Sequence, residues 1–133
     1  MLDWDTFTKE VKDLGNKIDY QPDLIVGIAR GGVIPAVFLS KQLKVKDMMV
    51  LKVRVEGNER ILRAEVVADV KDKNILLVED MLETGKTLVV VKEYLESKGA
   101  NVKTACLYIM PITEVKPDYF LTQINQVEKF PWE

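Results

Sequence analysis

Ile75-Leu-Leu-Val-Glu-Asp-Met-Leu-Glu-Thr-Gly-Lys-Thr-Leu88 runs from an apolar stretch, through an acidic pair, into a Thr-Gly-Lys-Thr turn and a new apolar segment. Asn74 to Val78 is short, apolar and bounded, which predicts a buried strand. Thr84 to Ser97 predicts a helix, and Gly99 stands where a helix C-cap belongs. The loop therefore ends at a helix N-terminus. Backbone amides there lack intrahelical partners, and the helix dipole favours an anion. Thr84 and Thr87 add hydroxyl donors, and Gly85 permits close backbone approach. A phosphate monoester suits this end. Glu79 and Asp80 suit the hydroxyls of an attached sugar, or a divalent ion. Gly85-Lys-Thr87 shares its ending with a nucleoside-triphosphate loop, but Asp80 stands where that motif needs glycine.

Outward from this segment, strands and helices alternate. Asp3 or Asp5 can cap a first helix, with Trp4, Phe7, Val11, Leu14 and Ile18 on one face. Gly15 weakens that helix and Pro22 closes the segment. Leu24 to Ala29 predicts a buried parallel strand, Arg30-Gly-Gly32 a loop, and Val33 to Leu43 a helix with Pro35 in its first turn. Met48 to Arg54 predicts a strand, Gly57-Asn58 a turn, and residues 60–69 a returning hairpin arm. Val102 to Ile109 and Asp118 to Gln123 predict two further strands. The pattern is an α/β fold: a mainly parallel twisted sheet flanked by helices, in one domain over residues 1–133. Ligands of such sheets bind beyond the carboxyl ends of the strands, where Ala29–Gly32 and Glu79–Thr87 both stand.

The 133 residues suffice for one core. A net charge of −2 gives no broad nucleic-acid or membrane footprint. With one cysteine, Cys106, and no histidine, a zinc site and a histidine-dependent triad are excluded. Cys106 lies in an apolar run and reads as a buried small hydrophobe. Acid–base work near neutral pH falls to carboxylates, lysines or tyrosines. No signal peptide is evident, and no apolar run approaches the ~20 residues that span a bilayer, so a cytoplasmic location is expected.

Val78-Glu-Asp-Met-Leu-Glu-Thr-Gly-Lys-Thr87 resembles the 5-phosphoribosyl 1-pyrophosphate (PRPP) motif of type I phosphoribosyltransferases, above all those for 6-oxopurines. The resemblance implies that Glu79 and Asp80 bind the ribose hydroxyls and that Glu83, Thr84, Gly85, Lys86 and Thr87 cradle the 5′-phosphate. Glu83 stands where the family usually has aspartate near the purine N7, which makes it the candidate general base. Val26-Gly-Ile-Ala-Arg-Gly-Gly-Val-Ile-Pro-Ala36 is similar to the family's pyrophosphate loop, assigning Arg30, Gly31 and Gly32 to the leaving group. Arg30 offers a fork of donors to phosphate oxygens.

The region between the second and third predicted strands matches the family's flexible loop, with Arg54, Arg60 and Arg63 as pyrophosphate candidates. The Ser-Tyr pair usual near Arg54 is absent. Phe130-Pro-Trp-Glu133 resembles the tail of xanthine-guanine enzymes, a minimal hood in which Trp132 would stack on the base. Ile109 and Met110 complete the expected base site. Met110 replaces a lysine that addresses the exocyclic oxygen of the purine, and a thioether donates no hydrogen bond.

The implied activity is transfer of phosphoribose from PRPP to a nucleobase, a purine first, yielding a nucleoside monophosphate and pyrophosphate. Mg²⁺ is the implied cofactor, with Glu79 and Asp80 as its protein ligands. A homodimer or homotetramer is implied as well. Two alternatives stay open: an enzyme for adenine or a pyrimidine, and a non-catalytic PRPP- or nucleotide-binding regulator on the same scaffold.

Overall fold

The computed structural model describes residues 1–63 and 69–133. The part of the expected hairpin arm at positions 64–68 lies outside the described residues. Helix α1 spans Trp4–Lys17, with the Asp3 side chain accepting from the Thr6 amide at its start. Strand β1 (Leu24–Ala29) leads through the Arg30–Gly32 turn into α2 (Val33–Gln42). Strands β2 (Met48–Glu56) and β3 (Glu59–Leu62) form a hairpin around Gly57-Asn58, with Gly57 at φ 59°. Strand β4 (Asn74–Val78) and the short β5 (Met81–Leu82) precede α3 (Lys86–Ser97). Strands β6 (Asn101–Ala105), β7 (Tyr108–Ile109) and β8 (Thr122–Gln123) complete the chain.

The main sheet has the order β3-β2-β1-β4-β6, parallel except for the β2–β3 hairpin. Alternation along its strands sends side chains to two cores. Leu24, Val26 and Ile28 of β1 and Ile75 and Leu77 of β4 join Leu88, Val91 and Leu95 of α3 on one face. Ile25 of β1 and Leu76 and Val78 of β4 join Phe7, Val11 and Leu14 of α1 and Ala36 and Leu39 of α2 on the other. The helices after β1 and β4 thus cover opposite faces. The crevice where such neighbouring strands diverge is the usual ligand site of an open parallel sheet. Among the described residues no helix is long and apolar enough to cross a membrane.

Three predicted elements differ. The helix begins at Lys86, not Thr84, because Gly85 at φ 82° turns the chain before it. The strand expected over Val102–Ile109 breaks at Cys106 and Leu107, whose amides donate to Tyr119 and Asp80 carbonyls and redirect the chain into a second sheet. That sheet has the order β5-β7-β8. The strand expected over Asp118–Gln123 shrinks to β8 plus a single bridge from Ala105 to Tyr119. Hydrophobic periodicity cannot report such switches between sheets, because both halves stay buried.

Candidate active site

The site lies beyond the carboxyl ends of β1 and β4. In the parallel register Gly27 faces Val78, so the turn after one strand meets the loop after the other. The β1 turn closes with the Gly32 amide donating to the Ile28 carbonyl at 2.8 Å. A β-carbon on Gly32 would collide with the Val78 carbonyl, so only glycine lets the turn sit on the end of β4.

On the β4 side, the Glu79 amide donates to the Ala105 carbonyl at 3.0 Å and the Leu107 amide to the Asp80 carbonyl at 3.0 Å. These bonds fix the backbone under both acids. The Asp80 carboxylate accepts from the Met81 amide at 2.6 Å, and that of Glu79 from the Asp80 amide at 3.2 Å. Burial, and next the charge of Asp80, holds the Glu79 carboxyl well above the ordinary range. Burial raises Asp80 to about 6, with the charge of Glu133 adding to it against the lowering bond from Met81. Two close carboxylates of elevated proton affinity gain most from a cation or from hydroxyl donors.

Short pairing of β5 with β7 carries the chain from Asp80 toward α3. The Thr84 carbonyl accepts from the Glu114 amide at 2.8 Å, and the Thr84 hydroxyl from the Lys86 amide at 3.3 Å. A β-carbon on Gly85 would press on Thr113 and Val115, so the segment after β7 buttresses the start of α3. A hollow of about 250 Å³ opens there, bounded by Glu79, Glu83–Leu88, Val55 and Arg60. Beside it lies a larger one of about 690 Å³, a volume ordinary for small-ligand sites. Arg30, Gly31, Glu79, Asp80, Glu83 and Trp132 help to line it. Glu79 and Glu83 border both hollows, making them two ends of one cleft.

The expected phosphate, ribose and Arg30 loop residues therefore come together. Arg30 and Glu83 are exposed at the cleft. Trp132 reaches it while stacking on Phe130, with ring centres 4.9 Å apart and planes at 12°. One face of the indole is thus occupied by the protein itself. Ile109 is buried and lines a separate hollow with Thr113 to Lys116, Phe120 and Gln123. Met110 borders neither end of the cleft; its amide donates to Leu82. Sequence reasoning missed Val127, Glu128 and Glu133 as cleft residues. Their signal was weak, because only the folding back of the tail brings them to Asp80. Cys106 is buried, with its thiol pushed far above the ordinary range by that burial.

Among the described residues no group of three or more acidic, cysteine or histidine side chains is placed to cage a metal. Two carboxylates suit Mg²⁺ nonetheless, since that ion commonly takes one or two carboxylates together with substrate phosphates. The buried, mutually repelling pair Glu79 and Asp80 is a donor set of this kind.

Residues 2–133 match the family model of the phosphoribosyl transferase domain. The chain is 38% identical over 106 residues to a hypoxanthine-guanine phosphoribosyltransferase of Lactococcus lactis subsp. lactis, covering 72% of this chain and 58% of that protein. It thus spans little more than half of that relative. It is 26% identical over 148 aligned positions to a xanthine-guanine phosphoribosyltransferase of Cereibacter sphaeroides, covering 99% of this chain and 85% of the relative. Among solved structures, a purine phosphoribosyltransferase from Pyrococcus horikoshii superposes with a TM-score of 0.91 at 38% identity. That superposition covers 99% of this chain and 92% of the other.

Proposed function

The chain belongs to the phosphoribosyl transferase domain family, and from that premise we propose that it transfers the 5-phosphoribosyl group of PRPP to a nucleobase, a purine in the first instance. The supporting observation is the single cleft in which the start of α3, the buried pair Glu79 and Asp80, and Arg30 meet.

Each part has a chemical task in this reading. The amides of the first turn of α3, with Thr84 and Thr87, hold the 5′-phosphate. Glu79 and Asp80 accept from the ribose 2′- and 3′-hydroxyls. Arg30, with the backbone at Gly31 and Gly32, holds the diphosphate. Trp132 offers the base an aromatic edge or its remaining face. The bond from the anomeric carbon to the diphosphate oxygen breaks as a base nitrogen bonds to that carbon, through an oxocarbenium-like state. The diphosphate leaves with the bonding electrons, and the proton of the incoming nitrogen passes to the Glu83 carboxylate. Bound Mg²⁺ supplies charge neutralisation on the leaving group, and Glu79 and Asp80 are the residues that would hold it.

Met110 supplies no donor to an exocyclic oxygen, so the acceptor is chosen by experiment: adenine, hypoxanthine, guanine, xanthine and the pyrimidines, each with PRPP and Mg²⁺. Pyrophosphate release with at least one purine is expected. Silence with every base, alongside tight nucleotide binding, would replace the enzyme reading with that of a nucleotide-binding regulator.

A further inference from the structure

The mechanism uses Arg30 and leaves the arginines of the β2–β3 hairpin unassigned. Directly paired residues share a face of a hairpin, and the faces alternate along each strand. Val53 pairs with Leu62 and Val55 with Arg60, so these four side chains stand together. Val53 and Leu62 pack on the core that contains Leu88 and Val91 of α3, which makes this the inner face. Arg54, paired with Ile61, is on the outer face, where it binds Glu56 at 2.8 Å. Arg63 is exposed beyond the end of β3. Of the three arginines, Arg60 alone is aimed at the hollow before α3, which it lines with Val55.

The Arg60 guanidinium is held and incompletely bonded. Its Nη1 donates to the carbonyls of Gly57 at 3.3 Å and Glu59 at 3.2 Å, anchoring the group to its own turn. Its Nε is shielded from solvent and, among the described residues, has no hydrogen-bond partner. A buried donor of a permanently charged group calls for an acceptor, and an anionic oxygen is the best one. The amides of the first turn of α3 carry only partial charge, whereas a phosphate monoester carries nearly two units. Lys86 and Arg60 are the formal cations bordering that hollow. Arg30 and Gly31 line the other end of the cleft.

We infer that Arg60 is a ligand of the phosphate monoester at the start of α3, not of the diphosphate, so that the two ends of PRPP are read by arginines from different strands. The assignment rests on the phosphoribosyl reading of the cleft. It also gives the hairpin a task in binding: an occupied phosphate hollow ties β3 to α3 through Arg60.

The test is calorimetric titration of the full chain with ribose 5-phosphate and, separately, with inorganic pyrophosphate and Mg²⁺. Arg60→Gln is expected to weaken ribose 5-phosphate about tenfold or more and to leave pyrophosphate within about twofold. Arg60→Lys should recover part of the loss, and Arg54→Gln, on the outer face, should change neither. Weakened pyrophosphate binding in Arg60→Gln, alone or together with weakened ribose 5-phosphate, overturns the assignment. Unchanged ribose 5-phosphate binding overturns it too. If the unaltered chain binds pyrophosphate but no ribose 5-phosphate, the phosphoribosyl reading of this hollow falls, and the assignment with it.

Discussion

Gly31 lies flush against the carboxylate of Asp80, so closely that a β-carbon at position 31 would overlap it. The contact joins the turn after β1 to the acid pair after β4, and it makes the two halves of the cleft sterically interdependent. Asp80 cannot swing aside without losing its 2.6 Å bond from the Met81 amide. Gly31→Ala is therefore expected to displace Asp80 and lower kcat/KM for PRPP by about ten- to a hundredfold, roughly 1.4–3 kcal/mol of barrier. Thermal unfolding should shift far less. Steady-state kinetics beside a melting curve would check this, and an unchanged kcat/KM would show that Asp80 is free to yield.

Stability should depend on pH through the same carboxylate. The unfolded-state value of Asp80 is 3.8 and its folded value about 6, so the native chain binds the proton more tightly. Its contribution to stability is complete below about 4 and is lost as the pH rises through about 6. The elevated proton affinity of Glu79 acts with the same sign. Asp80→Asn removes the buried charge, so at about pH 7.5 it should be more stable than the native chain, by on the order of 1–2 kcal/mol. The difference should shrink toward about pH 4.5. Denaturant unfolding of the ligand-free protein at both pH values measures it. Exposed acids such as Asp3 cancel in the comparison.

Glu83 borders both ends of the cleft and is exposed. As the proposed proton acceptor it should be replaceable only by another carboxylate. Glu83→Gln is expected to lower kcat by about a hundredfold or more while KM for PRPP stays within about threefold. Glu83→Asp should keep a substantial share of the rate. A glutamine variant with unchanged kcat would remove Glu83 from the proton transfer.

Trp132 serves the core and the cleft together. It stacks on Phe130 and meets Phe7 edge-on, with ring centres 4.9 Å apart and planes at 80°. Trp132→Ala should cost about 2–4 kcal/mol of stability, near the lower end for a large aromatic because the ring is only half-buried. It should also raise KM for the base, and Trp132→Phe should restore most of both. Lost stability with an unchanged base KM would assign Trp132 to the core alone.

The succession of elements around Glu79–Thr87 was legible in the sequence because it is local. A buried strand, two acids, a glycine turn and a helix start follow one another within Ile75–Leu88, and adjacency in sequence sets their geometry. The β1 turn was legible for the same reason, as Arg30-Gly-Gly32 directly after a buried strand, whereas its seat against Asp80 and the Val78 carbonyl is a tertiary contact. The alternation of strands and helices likewise foretold a parallel sheet with crossover helices.

Other features waited on contacts between distant segments. Which hairpin arginine faces the hollow before α3 is a matter of strand register, and a slip of one residue between β2 and β3 would turn Arg60 to the outer face that carries Arg54. The break at Cys106 arises because Asp80 and Tyr119 carbonyls capture the next amides, which no pattern within Val102–Ile109 encodes. Trp132 is pinned by Phe7, well over a hundred residues away. Local sequence thus determined which chemical groups the protein carries and the order in which it offers them. Tertiary structure decided which of them face one another, because side-chain orientation and burial follow from register and packing across the sheet.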